Sequence, residues 1–262
     1  MQLPNSYNYI ALFLTFRCCY NCSYCINWKN LIKERDSKYW INCFRNLETD
    51  LPVTLSGGEP SLYREFYEII NMIPQKIDIL TNLSFNVREF AKKVSPDRFD
   101  NQRSYAPIRA SFHNEFMEIK ETLSKVAFLM NKGFRVGLYC VDHPSNEFVI
   151  KEFKKVKWLD FQIKPLLNNK VKKSLLKQSV KCRIKELILG PEGKIFKCHR
   201  DLYKNENEIG FFLDASKIDF IYRECNNANE CHPCDLKIKR DRFGRPGYCS
   251  IDKMNLGDSG GK

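Results

Sequence analysis

The sequence predicts an α/β fold in which short buried strands alternate with amphipathic helices through the first two-thirds of the chain. Six such alternations precede a polar stretch, and the strands are apolar runs bounded by proline, glycine or asparagine. Strands that alternate with helices form parallel sheets with right-handed crossovers. Beyond the polar stretch the cysteines become dense and the strands shorter, which predicts a small second module.

Each element is predicted from its apolar pattern and its bounding residues. The predicted strands cover residues 9–16, 52–56, 76–81, 108–112, 134–141 and 160–164. The predicted helices cover residues 30–47, 60–73, 87–94, 115–132 and 146–156. In the fourth helix we expect Asn114 to be the N-cap and Phe116 to begin the apolar face.

Composition and hydropathy exclude some classes of protein. Of the 262 residues 43% are hydrophobic, enough to bury a sizeable core. No apolar run approaches the roughly 18 residues of a membrane span, so we expect no membrane association. The apolar run at residues 10–16 has no basic segment before it, which argues against a signal peptide and predicts a cytoplasmic protein.

The formal net charge is +12. A solvated lysine-rich surface is the simpler explanation, and attraction of an anionic substrate or carrier is the other. The basic run at residues 237–245 has no nucleic-acid-binding motif beside it, so we expect no nucleic-acid partner.

Cysteine spacing gives the strongest functional signal. In a chain expected to be cytoplasmic, twelve clustered cysteines indicate metal binding more than disulfides. Cys18-x3-Cys22-x2-Cys25 directly follows the first strand, and we call residues 18–25 the cluster loop. Three thiolates on one loop can hold one corner of a [4Fe–4S] cubane and leave one iron open. A turn, Gly57-Gly58-Glu59-Pro60, follows the second strand.

This combination resembles the radical S-adenosylmethionine (radical SAM) family over residues 8–167. The resemblance implies a partial (β/α)6 TIM-type barrel, with the cluster on Cys18, Cys22 and Cys25 and with SAM chelating the open iron. It also implies that electrons from a flavodoxin- or ferredoxin-type donor cleave SAM to a 5′-deoxyadenosyl radical, which abstracts a hydrogen atom from the substrate.

The resemblance further implies that the glycine turn and Glu59 face the SAM amino group and that Tyr24 packs near the adenine. The cofactor-binding candidates are Tyr24, Ser56, Gly57, Gly58, Glu59, Asn82 and Ser111. Polar residues near the active face could act on substrate as acids or bases, with water-exposed structural residues as the alternative for each. These catalytic candidates are His113, His143, Lys164, His199 and Arg200.

A second cysteine group begins with Cys182-x10-Gly193-x4-Cys198. A hairpin of residues 186–189 and 194–197 would bring its two cysteines together, over the open mouth of the barrel. The pattern resembles the auxiliary-cluster modules called SPASM and twitch, in the shorter twitch form. That resemblance implies one auxiliary [4Fe–4S] cluster on Cys182, Cys198, Cys231 and Cys234, with Cys225 in reserve and Cys249 less favoured. A zinc site on the same thiolates is the alternative.

Three regions are therefore expected: a radical SAM core at 1–167, an auxiliary-cluster module at 168–254 and a flexible tail at 255–262. The first functional hypothesis is an oxidoreductase-type enzyme acting on a small molecule, such as a sugar or cyclitol. The alternative is a maturase that modifies a ribosomally synthesised peptide. A non-catalytic electron carrier is the third, and the glycine turn and open iron argue against it.

Overall fold

A computed structural model describes residues 2–25, 32–99, 104–166, 178–213, 218–228 and 251–255. Six strands and five helices alternate in its first part. The strands are β1 (Tyr9–Thr15), β2 (Val53–Gly57), β3 (Ile77–Thr81), β4 (Ile108–Phe112), β5 (Val136–Asp142) and β6 (Asp160–Pro165). The helices are α1 (Ser37–Arg45), α2 (Phe66–Met72), α3 (Val87–Lys93), α4 (Ile119–Asn131) and α5 (Glu147–Lys154).

Strands β1 to β6 lie side by side in chain order, and every neighbouring pair is parallel. This confirms the predicted α/β class with a mostly parallel sheet. Alternate strand residues pack against the helices, where Trp40, Phe44, Phe90 and Phe153 are fully buried. The carboxyl ends of the strands meet at one edge, which is where β/α folds place their chemistry.

The second part extends this sheet and adds a smaller one. Its elements are β7 (Gln178–Ile184), β8 (Glu186–Leu189), β9 (Lys194–Phe196), α6 (His199–Lys204), β10 (Glu208–Phe211), β11 (Arg223–Ala228) and β12 (Ile251–Asn255). The nine-stranded sheet has the order β10-β9-β8-β1-β2-β3-β4-β5-β6, and β11-β7-β12 form a separate three-stranded sheet. The predicted hairpin is present as the antiparallel pair β8 and β9.

The position predicted for this hairpin was wrong. Strand β8 runs parallel to β1, with Leu189 in register with Leu12, so the hairpin continues the barrel sheet and does not cover its mouth. Its turn lies at the carboxyl edge, where Arg35 N donates to Pro191 O at 2.9 Å. Cys198 follows the end of β9, which runs antiparallel to β8, and Cys182 lies on β7 in the separate three-stranded sheet.

The start of the fourth helix also differs from prediction. Helix α4 begins at Ile119, and Asn114 does not cap it but donates its Nδ2 to Ser145 O at 2.8 Å. Phe116 lies in the loop before the helix and is partly exposed. Among the described residues, none of the helices has the length and apolar character needed to cross a membrane.

A buried ion pair joins β3 and β4 on the face away from the helices. Arg109 Nη2 lies 3.2 Å from Asp78 Oδ2, and both side chains are almost fully buried. Thr54 Oγ1 and Tyr105 Oη also donate to Asp78 Oδ2, at 3.4 and 2.9 Å. The guanidinium in turn contacts Tyr9 Oη at 3.2 Å. At this level, the face of the sheet away from the helices therefore carries a buried ion pair with polar neighbours and not an apolar core, although Arg109 Nε has no hydrogen-bond partner among the described residues.

We expect Asp78→Asn to lower the free energy of unfolding by about 3–5 kcal/mol, because Arg109 would keep a buried charge without its counterion. Urea denaturation followed by circular dichroism measures the change. The matched control is Glu147→Gln, which removes an exposed carboxylate paired with Lys151 and should leave the unfolding midpoint almost unchanged. Equal midpoints for the two variants would contradict a structural role for the buried pair.

Candidate metal and cofactor site

The cluster loop leaves β1 at the carboxyl edge of the sheet. Cys18 and Cys22 are half-buried, Cys25 is exposed, and none is in a disulfide. The loop is tightly turned, since Cys25 N donates to Cys22 O at 3.1 Å and Tyr20 N donates to Cys18 Sγ at 3.4 Å. Burial raises the pKa of Cys18 and raises that of Cys22 to about 12. Both thiols are therefore protonated at neutral pH, and binding of a metal would have to displace the proton.

The glycine turn after β2 packs against the backbone that leads into this loop. Gly58 N donates to Thr15 O, and Glu59 N donates to Arg17 O, both at 2.9 Å. A Cβ on Gly57 would lie 2.0 Å from Thr15 O, and one on Gly58 would lie 2.3 Å from Arg17 O. The glycines therefore allow close approach of two strand ends, and the close approach to a ligand expected from the sequence stays a prediction.

The carboxylate of Glu59 is fully buried and joins β2 to the end of β3. It accepts hydrogen bonds from Thr81 Oγ1 at 2.9 Å, from Asn82 N at 2.7 Å and from Ser61 N at 3.1 Å. Burial raises the pKa of this carboxyl, and the hydrogen bonds from Asn82 and Ser61 oppose that shift. The carboxylate is thus occupied by protein donors, and its contact with a SAM ammonium stays a prediction.

Asn82 connects the hydrogen-bonded group around Glu59 to the cluster loop. Its Nδ2 lies 3.3 Å from Cys19 Sγ and 4.0 Å from Cys18 Sγ. Two further sequence candidates lie on neighbouring strands, with Ser56 buried near the end of β2 and Ser111 half-buried on β4. The ends of β1, β2 and β3 therefore converge beside the three cysteines.

The loop between β4 and α4 holds the cluster loop from the other side. Ser23 donates its N–H and its hydroxyl to the carboxylate of Glu115, at 3.0 and 2.7 Å. The ring of Tyr20 stacks on Phe116 with centroids 4.9 Å apart. No sequence pattern singled out Glu115, and Phe116 was predicted only for the apolar face of the fourth helix, because the partners of both residues lie about ninety residues earlier in the chain.

Tyr24 lies between two of the predicted histidines. Its hydroxyl is 3.0 Å from His113 Nδ1, and its ring centroid is 5.3 Å from that of His143. Burial lowers the pKa of His113 to about 4, so this imidazole is neutral at physiological pH. His113 and Tyr24 thus form a neutral hydrogen-bonded pair beside the cysteines.

The contacts of the other catalytic candidates, Lys164, His199 and Arg200, are not with Tyr24 or His113. Lys164 Nζ on β6 lies 4.8 Å above the ring of Tyr139. His199 is the buried first residue of α6, with its Nε2 2.8 Å from Glu186 Oε2. Arg200 forms ion pairs with two carboxylates, those of Asp201 at 2.9 Å and Glu206 at 2.6 Å. His199 and Arg200 belong instead to the surroundings of the second cysteine group.

Three cysteines of the second group lie in described residues: Cys182 on β7, Cys198 after β9 and Cys225 on β11. Cys198 and Cys225 line one cavity of about 470 Å³. The remaining predicted or reserve ligands, Cys231, Cys234 and Cys249, lie outside the described residues. Within the described part of the chain, no group of three or more His, Cys, Asp or Glu side chains could hold a metal ion.

Comparison with known proteins gives a structural likeness but no sequence match. A scan against protein-family models found no match, and a search of curated proteins found none either. The solved structure of anSMEcpe with bound AdoMet and Kp18Cys peptide aligns with a TM-score of 0.60 at 12% identity, covering 79% of this chain and 77% of that one. Native anSMEcpe with bound AdoMet gives 0.57 at 14% identity, covering 78% of this chain and 77% of that one.

SuiB of Streptococcus suis bound to S-adenosylmethionine gives a TM-score of 0.45 at 15% identity, covering 82% of this chain and 66% of that one. That likeness is too weak to carry an argument. The anSMEcpe protein is a radical SAM protein. This chain shares the fold of anSMEcpe. The resemblance inferred from the cysteine loop and the glycine turn is therefore confirmed at the level of the fold.

We expect Glu115→Ala to weaken iron retention in the cluster loop about fivefold, because charge-assisted hydrogen bonds at an exposed position contribute on the order of 1 kcal/mol. The rate of iron loss to a chelator under anaerobic conditions measures the effect. Glu118→Ala, an exposed carboxylate three residues on whose side chain does not cap α4, is the matched control. Equal rates of iron loss for both variants would show that Glu115 does not hold the loop.

Proposed function

We propose that this chain is a radical SAM enzyme that modifies a ribosomally synthesised peptide. The observation that carries the proposal is the convergence of three strand ends at the carboxyl edge of the sheet. There the cluster loop, the Gly57-Gly58-Glu59 turn and Asn82 lie within hydrogen-bonding reach of one another. The same fold in anSMEcpe accommodates bound AdoMet.

The donor chemistry of the cluster loop fits a [4Fe–4S] cluster. Cys18, Cys22 and Cys25 are thiols outside any disulfide, and three thiolates leave one iron for another ligand. When bound, the cluster and SAM supply the radical that removes a hydrogen atom from unactivated carbon. The contribution of this chain is to orient them, with Glu115 and His113 holding the cluster loop on one side and Asn82 facing it on the other.

Two observations favour a peptide over a small molecule. The solved structure that aligns with this chain contains a Kp18Cys peptide in addition to AdoMet. In addition, β6 is the last strand of the nine-stranded sheet in the described residues, and an edge strand offers backbone hydrogen bonds to an extended peptide. Ile163 on β6 is an exposed apolar side chain, as are Trp158 just before this strand and Phe148 on α5.

The region 168–254 is proposed to hold one auxiliary [4Fe–4S] cluster. Its proposed role is to accept the electron left on the substrate radical or to bind the substrate directly. The proposed electron donor is a flavodoxin- or ferredoxin-type protein. A net charge of +12 would favour association with an acidic donor of this kind.

Anaerobic reconstitution followed by reduction with dithionite tests the proposed function. We expect about eight irons per chain and formation of 5′-deoxyadenosine from SAM. The Cys18→Ala/Cys22→Ala/Cys25→Ala variant should retain about four irons and make no 5′-deoxyadenosine, because only the auxiliary cluster would remain. The single variant Cys43→Ala, which removes a buried core thiol, is the control and should resemble wild type.

Mass spectrometry of reactions with candidate peptides and with cyclitols distinguishes the two substrate classes. A peptide that loses hydrogen in step with 5′-deoxyadenosine formation would support the maturase. Turnover of a cyclitol with no change in any peptide would favour the small-molecule enzyme instead. Reconstituted protein that binds iron but never cleaves SAM would overturn the radical SAM proposal.

A further inference from the structure

We propose that the outer side of β6 pairs with an extended segment of the substrate peptide, and that this segment carries Asp or Glu where it meets Lys154 and Lys157. The proposal rests on the peptide substrate of the proposed function, and it adds how the peptide is held and what charge it carries. Three features of the molecule carry it: the pairing of β6, the exposed side chains of this strand and the lysines beside it.

Strand β6 has a neighbour on one side. It pairs in parallel with β5 from Asp160 to Pro165, and no strand in the described part of the chain lies on its other side. The strand ends in a proline, which has no N–H to donate and is found in sheets mainly on edge strands. Six residues of strand are about 20 Å long. The outer side of β6 could therefore form main-chain hydrogen bonds with about six residues of an extended peptide.

The two faces of β6 would give such a peptide two different environments. The ring of Phe161 contacts Phe153 of α5, with centroids 5.3 Å apart, so Phe161 and the exposed Ile163 lie on the face that the helices cover. Lys164 lies on the other face, with its Nζ 4.8 Å from the ring centroid of Tyr139. Side chains of an added strand would alternate in the same way, so every second one would lie on the face that carries Lys164.

This alternation would bring one part of the peptide to the candidate site. Lys164 is the fifth of the six residues of β6, so it lies near the carboxyl edge of the sheet, from which the cluster loop also leaves. A peptide side chain beside Lys164 would lie at that edge and on the face away from the helices. Pairing with β6 would therefore hold one side chain of the peptide where the proposed chemistry takes place.

The lysines near the other end of β6 set the charge expected of the peptide. Helix α5 and the turn after it carry four exposed lysines, and two of these form ion pairs with glutamates of the same helix. The other two, Lys154 and Lys157, have no ion pair in the described part of the chain. Carboxylates of a peptide would supply their counterions.

Protection of the edge does not account for these two lysines. Lysine on an edge strand discourages unwanted pairing with other chains. Lys154, however, ends α5, and Lys157 lies in the turn before β6, so neither is on the edge strand itself. Their charges flank the start of the strand and leave its outer side open to a partner of the opposite charge.

The experiment measures binding of fluorescein-labelled eight-residue peptides to the full, anaerobically reconstituted chain with SAM, by fluorescence anisotropy. A peptide that alternates Glu and Val should bind about tenfold more tightly than one that alternates Lys and Val, because only the first complements Lys154 and Lys157. The variant Lys154→Gln/Lys157→Gln should weaken binding of the acidic peptide about fivefold. The control Lys38→Gln/Lys92→Gln removes the same charge from exposed positions on α1 and α3 and should leave the affinity unchanged.

Methylation of the peptide backbone separates strand pairing from charge attraction alone. A strand with a partner on one side directs only alternate N–H groups toward it. N-methyl groups at the odd positions and at the even positions of the acidic peptide should therefore have unequal effects. One series should weaken binding about tenfold, and the other should leave it nearly unchanged.

The outcomes separate this proposal from the proposed function. Equal affinities for the acidic and basic peptides, or equal effects of the two N-methyl series, in a chain that cleaves SAM would overturn the pairing and leave the function in place. A chain that binds none of these peptides and turns over a cyclitol would overturn both. If light scattering showed a dimer that Ile163→Lys makes monomeric, the edge would belong to a second copy of the chain, and the proposal would be wrong.

Discussion

The buried carboxylate of Glu59 is the interaction on which the candidate site depends. It accepts hydrogen bonds from Thr81 and Asn82 at the end of β3, while its own backbone N–H donates to Arg17 O at the start of the cluster loop. One residue thus fixes the relative positions of three strand ends. Gly57 and Gly58 precede it, and a Cβ on either would collide with the carbonyl oxygen of Thr15 or Arg17. The glycine turn is therefore a structural joint as well as a candidate ligand-binding element.

Much of the barrel could be predicted from the sequence because each strand is a short apolar run and each crossover helix has its own periodicity. The six parallel strands agree with prediction within one or two residues. The candidate site could be predicted where its residues are close in sequence, as with Cys18, Cys22 and Cys25, whose role as iron ligands stays a prediction. The contact between Ser23 and Glu115 was not, because it joins residues far apart in sequence and leaves no local pattern. Asn114 failed as a helix cap for a similar reason, since its partner is the distant Ser145.

The placement of the second cysteine group gives the hairpin a different role from the one expected. Spacing predicted that β8 and β9 bring two cysteines together, but it could not give the neighbour of β8. Parallel pairing with β1 puts the hairpin turn at the carboxyl edge. Helix α6, which begins directly after Cys198, packs its His199 and Tyr203 against Phe13 and Phe16 of the chain leading into the cluster loop. The hairpin therefore extends the sheet, and α6 connects it to the end of β1.

The most direct test of the role of Glu59 uses the variant Glu59→Gln, with Glu48→Gln at an exposed position as the control. Two quantities are measured: the free energy of unfolding, and the change that SAM causes in the electron paramagnetic resonance spectrum of the reduced cluster. The amide cannot accept all the bonds that the carboxylate accepts, so we expect the free energy of unfolding to fall by about 2–4 kcal/mol. SAM should also no longer shift the electron paramagnetic resonance spectrum of the reduced cluster, because Asn82 and the cluster loop would lose their common anchor. If Glu59→Gln had wild-type stability and only bound SAM more weakly, the result would contradict the claim that Glu59 holds the strand ends together. It would favour direct contact between Glu59 and SAM.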